Sequence, residues 1–251
     1  MGSEAASLQL LSSALGNWVA LNSSPKSIRT SSFSPRNSLL GNPISLDLHR
    51  FHRARTQATL DEQSATAPLQ TQPNREVEES VKVLKNAAKT RRVPKEEILS
   101  ALSVIEKAKI DPSNFLDTLG GSESPGRTWM LIFTAEKQLK GGRYFPLTAV
   151  QRFDATGKRI ENGVYLGPIG ALTFEGRFSW KKRILAFIFE SIRIKVGPLN
   201  PLEISLGQKD DREPSNKDPF FIWFYIDEEM AVARGRSGGT AIWCRCHRVP
   251  T

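Results

Sequence analysis

The chain has 251 residues with 35 Lys and Arg against 26 Asp and Glu, a net charge of +9, three His and two Cys. A strongly acidic binding protein is therefore excluded, two cysteines cannot staple a chain of this size, and the scattered histidines argue against a His-rich metal centre. The longest apolar runs, Phe220–Ile226 and Ile184–Phe189, reach seven and six residues, whereas a membrane-spanning helix needs roughly 20.

In chain order, residues 1–60 come first. They hold two acids, Glu4 and Asp47, six bases, Lys26, Arg29, Arg36, Arg50, Arg53 and Arg55, and 12 Ser. A segment poor in acid, rich in Ser and lacking an apolar h-region has the composition of an organelle transit peptide, and the Ser bias favours a plastid. Taking it away leaves 29 bases (35 less six) and 24 acids (26 less two), about +5, so most of the basicity belongs to this leader. A nucleic-acid partner is not expected from so small an excess without a stacking platform. Residues 61–74, largely Gln, Thr, Pro and Ala, cannot bury enough apolar surface to order themselves and are expected to be a disordered linker.

Residues 75–119 change to helical spacing. Val77, Val81, Leu84 and Ala88 form one stripe, and Ile98, Leu102, Ile105 and Lys109 a second. Pro94 with Glu96 and Glu97 suits a helix start, and Asp111-Pro112 a helix end. Residues 120–251 then alternate with period two. Candidate strands run over 128–134, 144–153, 163–166, 171–178, 183–196, 202–206, 220–226, 230–234 and 240–247, separated by glycine and proline turns. About eight or nine short strands without a helical interruption predict a mainly β fold, an antiparallel barrel or sandwich, and exclude parallel α/β.

The alternation puts Trp129, Leu131 and Phe133 on one face. It groups Leu172, Phe174 and Phe178 in the same way, then Leu185, Phe187 and Phe189, then Phe220, Ile222, Phe224 and Ile226. The interior is apolar and aromatic: either a packed core or, in a barrel of about eight strands, a pocket for one small ligand. In the second case Trp129, Leu131, Phe133, Phe174, Phe187, Phe189 and Phe224 are the candidate lining.

Three catalytic look-alikes are set aside. Gly235-Arg236-Ser237-Gly238-Gly239 matches a nucleophile elbow in letters, but its flanks are two strands of a hairpin and no acid follows Glu229. Gly121 to Thr128 imitates a phosphate loop yet precedes a strand. Cys244 and Cys246, two apart on one strand, read as reduced structural thiols, since with His247 they offer at most three metal ligands. No cofactor, metal or catalytic residue is expected.

Several segments together resemble the plastid-lipid-associated protein, or fibrillin, family. They are Gly126 to Thr134 with Trp129, Val150 to Asp154 followed by Ile160 to Val164, Phe174 to Phe178 through Arg183 to Phe187, and Tyr225 to Gly239 with Asp227, Arg234 and Gly235. The resemblance spans about Leu99 to Trp243. It implies a lipocalin-like barrel at thylakoids, plastoglobules or in the stroma, which binds or organises lipids or isoprenoids without catalysis. It also implies that Trp129 plugs the barrel base, stacked beneath Arg234 or Arg245, that Asp227 forms an acidic turn, and that Arg234, Gly235 and Gly239 belong to the closing hairpin. The alternative function is an adaptor or assembly factor for a plastid protein complex. Its barrel would be filled, and the helical pair or the loop 208–219 would be its docking face.

Overall fold

The computed structural model describes residues 72–207 and 212–247; the expected leader over 1–60 and most of the expected linker lie outside them. Three helices come first: α1 (Gln72–Thr90), α2 (Lys95–Lys107) and α3 (Phe115–Gly120). Helix α1 starts at Gln72, inside the span expected to be linker. Pro94 stands at the N-cap of α2 as expected, with Glu96 and Glu97 in the first turn. That helix stops at Lys107, four residues before Asp111-Pro112, and Ala108 is already extended.

Ten strands follow: β1 (Arg127–Ala135), β2 (Gly142–Tyr144), β3 (Thr148–Asp154), β4 (Arg159–Tyr165), β5 (Gly170–Lys181), β6 (Ile184–Val196), β7 (Leu202–Ser205), β8 (Phe220–Ile226), β9 (Met230–Gly235) and β10 (Thr240–Cys246). The expected strand over 144–153 is two strands, because the chain turns through Phe145-Pro146-Leu147 and Pro146 has no N–H to give a ladder. The order β1-β3-β4-β5-β6-β8-β9-β10 closes through a β10–β1 pairing, with every neighbour antiparallel. The result is a closed eight-stranded antiparallel barrel, so barrel rather than sandwich is the architecture. Closure leaves no free edge among these eight strands. β2 pairs beside β1, and β7 pairs with β6 beyond the point where β8 leaves it.

Two hydrophobic clusters divide the molecule. The inner one lines the barrel and includes Trp129, Leu131, Phe153, Phe187, Trp223 and Trp243, with Phe115 and Leu119 of α3 beneath. The outer one sandwiches α1 and α2 against the barrel wall, joining Leu84, Ile98, Leu102 and Ile105 to Ile132, Phe133, Val232 and Ile242.

Two bulges decide which residues belong to which cluster. In β1, Leu131 pairs with Trp243 and Phe133 with Ile242, so Ile132 is an extra residue. In β8, Trp223 pairs with Ala233 and Tyr225 with Val232, so Phe224 is extra. An extra residue reverses the alternation beyond it. Phe133 therefore faces outward with Ile242, against the expectation that it shares a face with Trp129 and Leu131. The expected phase of β8 is likewise corrected: Phe221, Trp223 and Ile226 face inward, while Ile222 and Phe224 lie in the outer cluster.

Candidate functional site

The base of the barrel is built from β1, β10, α3 and the β8–β9 turn. Trp129 is fully buried, and its Nε1 donates to the Leu119 carbonyl at 2.7 Å, which satisfies one of the open C=O groups at the end of α3. Arg127 donates to the Thr118 carbonyl at 2.9 Å and to Glu228, and Arg245 also meets Glu228. Of the two arginines expected to stack on Trp129, Arg245 is its direct cross-strand partner, whereas Arg234 pairs across from Thr240. Arg245 is engaged by Glu228, while Arg234 lies over the Phe224 ring at 5.0 Å and pairs with Glu106 of α2. The cause is again orientation, since Arg234 projects from the outer wall beside Ile222.

Above the base the rings interlock. Phe153–Trp223, Phe187–Phe221, Phe221–Trp243 and Trp223–Trp243 have centroids 5.6, 5.4, 5.6 and 5.4 Å apart. Each such pair adds about 0.5–1.5 kcal/mol beyond its buried area. Of the expected lining residues, Trp129, Leu131, Phe174, Phe187 and Phe189 belong to or pack on this inner cluster, and Phe133 and Phe224 do not. Phe174 and Phe189 are only partly buried and stand 5.4 Å apart, toward the end of the barrel opposite the base.

Within this apolar lumen sit two carboxamides. Gln151 on β3 and Asn162 on β4 are direct cross-strand partners, 2% and 0% exposed. Gln151 lies between inward Ala149 and Phe153, and Asn162 between inward Ile160 and Val164, so both point into the lumen. Gln151 Oε1, both Asn162 amide atoms and the Trp223 and Trp243 Nε1 atoms are buried without a protein hydrogen-bond partner. Each such group costs about 1–3 kcal/mol when left unmatched. Charge did not reveal these residues, but their parity with the neighbouring apolar positions could have.

A continuous inward row links the amides to the far end of the wall. Trp129 pairs with Gln151, Gln151 with Asn162, Asn162 with Phe174, Phe174 with Ile192, and Ile192 with Ile204. The last members stand on a β5–β6–β7 wing that extends past the barrel, where Leu199, Leu202 and Ile204 are 65%, 59% and 42% exposed. Exposed apolar residues clustered in this way mark interaction or ligand surfaces.

The β8–β9 turn is an electrostatic clasp outside the lumen. Asp227 accepts the Glu229 and Met230 N–H groups at 2.8 Å each and the Tyr225 hydroxyl at 2.7 Å, and pairs with Lys85 of α1 at 2.8 Å. Burial pushes its carboxyl upward, but Lys85 and these donors outweigh it and hold the pKa below the usual range. The same burial, then the hydrogen bond to Asp227, drives the Tyr225 phenol upward. Gly235 and Gly239 close the β9–β10 hairpin through a 2.9 Å N–H to C=O bond, and Ser237 lies in that turn, as expected.

Cys244 and Cys246 are free. Burial raises both thiols, Cys246 to about 11. An open cleft of about 1120 Å³ between the β5–β6 turn and residues 213–216 mixes Asp111, Lys181, Lys182, Arg183 and Glu213, and in it the Ser113 hydroxyl donates to the Asp111 carboxylate at 2.7 Å. No protein-family model matches the chain, and no curated protein matches it.

Proposed function

We propose that this protein is a non-catalytic carrier or organiser of a plastid lipid or isoprenoid, which it holds in the barrel with the apolar tail directed over the wing. The observation that carries this reading is the inward row from Trp129 through the amides to Ile204, which joins an aromatic lumen to an exposed apolar surface. Such a site is mostly apolar with a few convergent polar groups, and burial supplies most of its affinity, at about 25 cal/mol per Å². The strand sequences resembling the plastid-lipid-associated family and the transit-like composition of residues 1–60 support the ligand class and a plastid address at the thylakoid, plastoglobule or stroma.

The competing reading is an adaptor with a filled barrel that docks through its helices or through the loop 208–219, and the packing of the helices weighs against the first of these two faces. The apolar stripes of α1 and α2 are already covered by the barrel wall. Solvent extraction of the protein purified from plastids, followed by mass spectrometry, tests the proposal. A prenyl lipid or acyl lipid recovered in near-stoichiometric amount is expected. A protein with no bound lipid and no affinity for added lipid would overturn it.

A further inference from the structure

The lumen carries more chemical information than its greasiness. Its unpartnered atoms are one amide N–H₂, two indole N–H donors and two amide oxygens, all neutral, and the remainder of the inner cluster is hydrocarbon and aromatic ring. The nearby cations on the inner wall, Arg127 and Arg245, lie at the base, where Glu228 engages both. A carboxylate or phosphate drawn to the amides would lose its water without meeting a free positive charge. A neutral carbonyl or hydroxyl oxygen would instead find donors and acceptors that have no other partner.

Around the barrel, β4 stands opposite β9, whose inward residues are Ala231 and Ala233, and β3 stands opposite β8, where Trp223 meets Phe153 across the lumen. The amides thus face small side chains flanked by two indoles. From Asn162 the row leads through Phe174 and Ile192 to Ile204, a path for a tail leaving toward the wing.

We infer that Asn162 and Gln151, with the Trp223 and Trp243 indole N–H groups, recognise an uncharged oxygen headgroup, a ketone or hydroxyl, on a long apolar molecule, and that the barrel discriminates against carboxylate and phosphate heads. This rests on the barrel being the ligand site.

Calorimetric titration of the full chain with methyl octyl ketone, decanol, decanoate and decyl phosphate, at a pH where the last two are ionised, separates the possibilities. Ketone and alcohol are expected to bind at least about ten-fold more tightly than either anion, because a site built to hydrogen-bond rejects what cannot match it. Asn162→Leu removes both unmatched amide atoms. It is expected to keep or raise the melting temperature and to weaken ketone binding by about ten-fold, with Gln151→Leu as the second variant should the first fail to fold. Equal or tighter binding of decanoate, or a preference untouched in both variants, would overturn the inference while leaving the barrel a lipid site. Binding of none of the four would remove the site itself.

Discussion

At the residue scale, Asp227 shows how one side chain can hold three elements. It ties the β8–β9 turn through two backbone N–H groups, the end of β8 through Tyr225, and α1 through Lys85. Its carboxylate is favoured in the fold, so it adds stability above its unfolded value of about 3.8, and that stability is lost as pH falls through the lower folded value. Lys85, raised above 10.5 although burial alone would lower it, works in the opposite sense. Its contribution is complete below that value and fades as pH climbs through the folded one. Asp227→Ala is expected to destabilise by about 1–3 kcal/mol, since a half-buried phenol and two amides lose their acceptor and Lys85 is left with Glu229 alone. Urea denaturation at pH 7 and near pH 3 checks this, and the penalty of the variant should shrink at the acid end. The sequence flagged Asp227 as a turn acid but not its reach to Lys85, because a partner more than 100 residues away leaves no local pattern.

At the element scale, legibility followed periodicity and failed where periodicity was absent. The α1 and α2 stripes were readable: Val81, Leu84, Ile98, Leu102 and Ile105 are all buried. Helix α3, six residues long, is shorter than two turns and gives no repeat to read. The seven apolar residues of β8 contain no alternation, so nothing local could reveal that Phe221 and Trp223 face the lumen while Ile222 and Phe224 face the helices. Only the bulged pairing with β9 settles it. The lumen amides were legible in principle, two residues from apolar neighbours of known parity, yet a polar residue in a strand is by default read as solvent-facing.

The helices are as much a part of the fold as the strands. Leu102 is fully buried between α2 and the outer wall. Leu102→Ala is expected to cost about 2–5 kcal/mol. Leu102→Asp should prevent folding of the barrel as well as of the helix, since it would leave Ile132, Val232 and Ile242 facing water. A melting curve of the first variant, and the solubility of the second, measure this. A barrel that keeps its cooperative transition in Leu102→Asp would show that the helices merely decorate it.

At the scale of the whole molecule, the two clusters give the barrel wall different duties on its two sides. The outer side of β1, β8, β9 and β10 is committed to α1 and α2. The inner side is closed at the base by α3 and rings, and remains apolar out to the wing, where β6 exchanges β8 for the short strand β7. β7 is exposed along its whole length, so its side chains contribute little to holding the fold. Replacing Leu202 and Ile204 with Ser should therefore change stability by no more than about 0.5 kcal/mol. If the wing carries the tail of a bound lipid, the same change removes apolar area from the complex, worth about 1–2 kcal/mol in all at 25 cal/mol per Å². The dissociation constant for a long-chain ketone should then rise about ten-fold. For a ketone too short to pass Phe174 it should stay unchanged. Equal losses for both chain lengths would mean that the wing acts through the fold of the barrel, and no loss for either would detach the wing from the ligand's path.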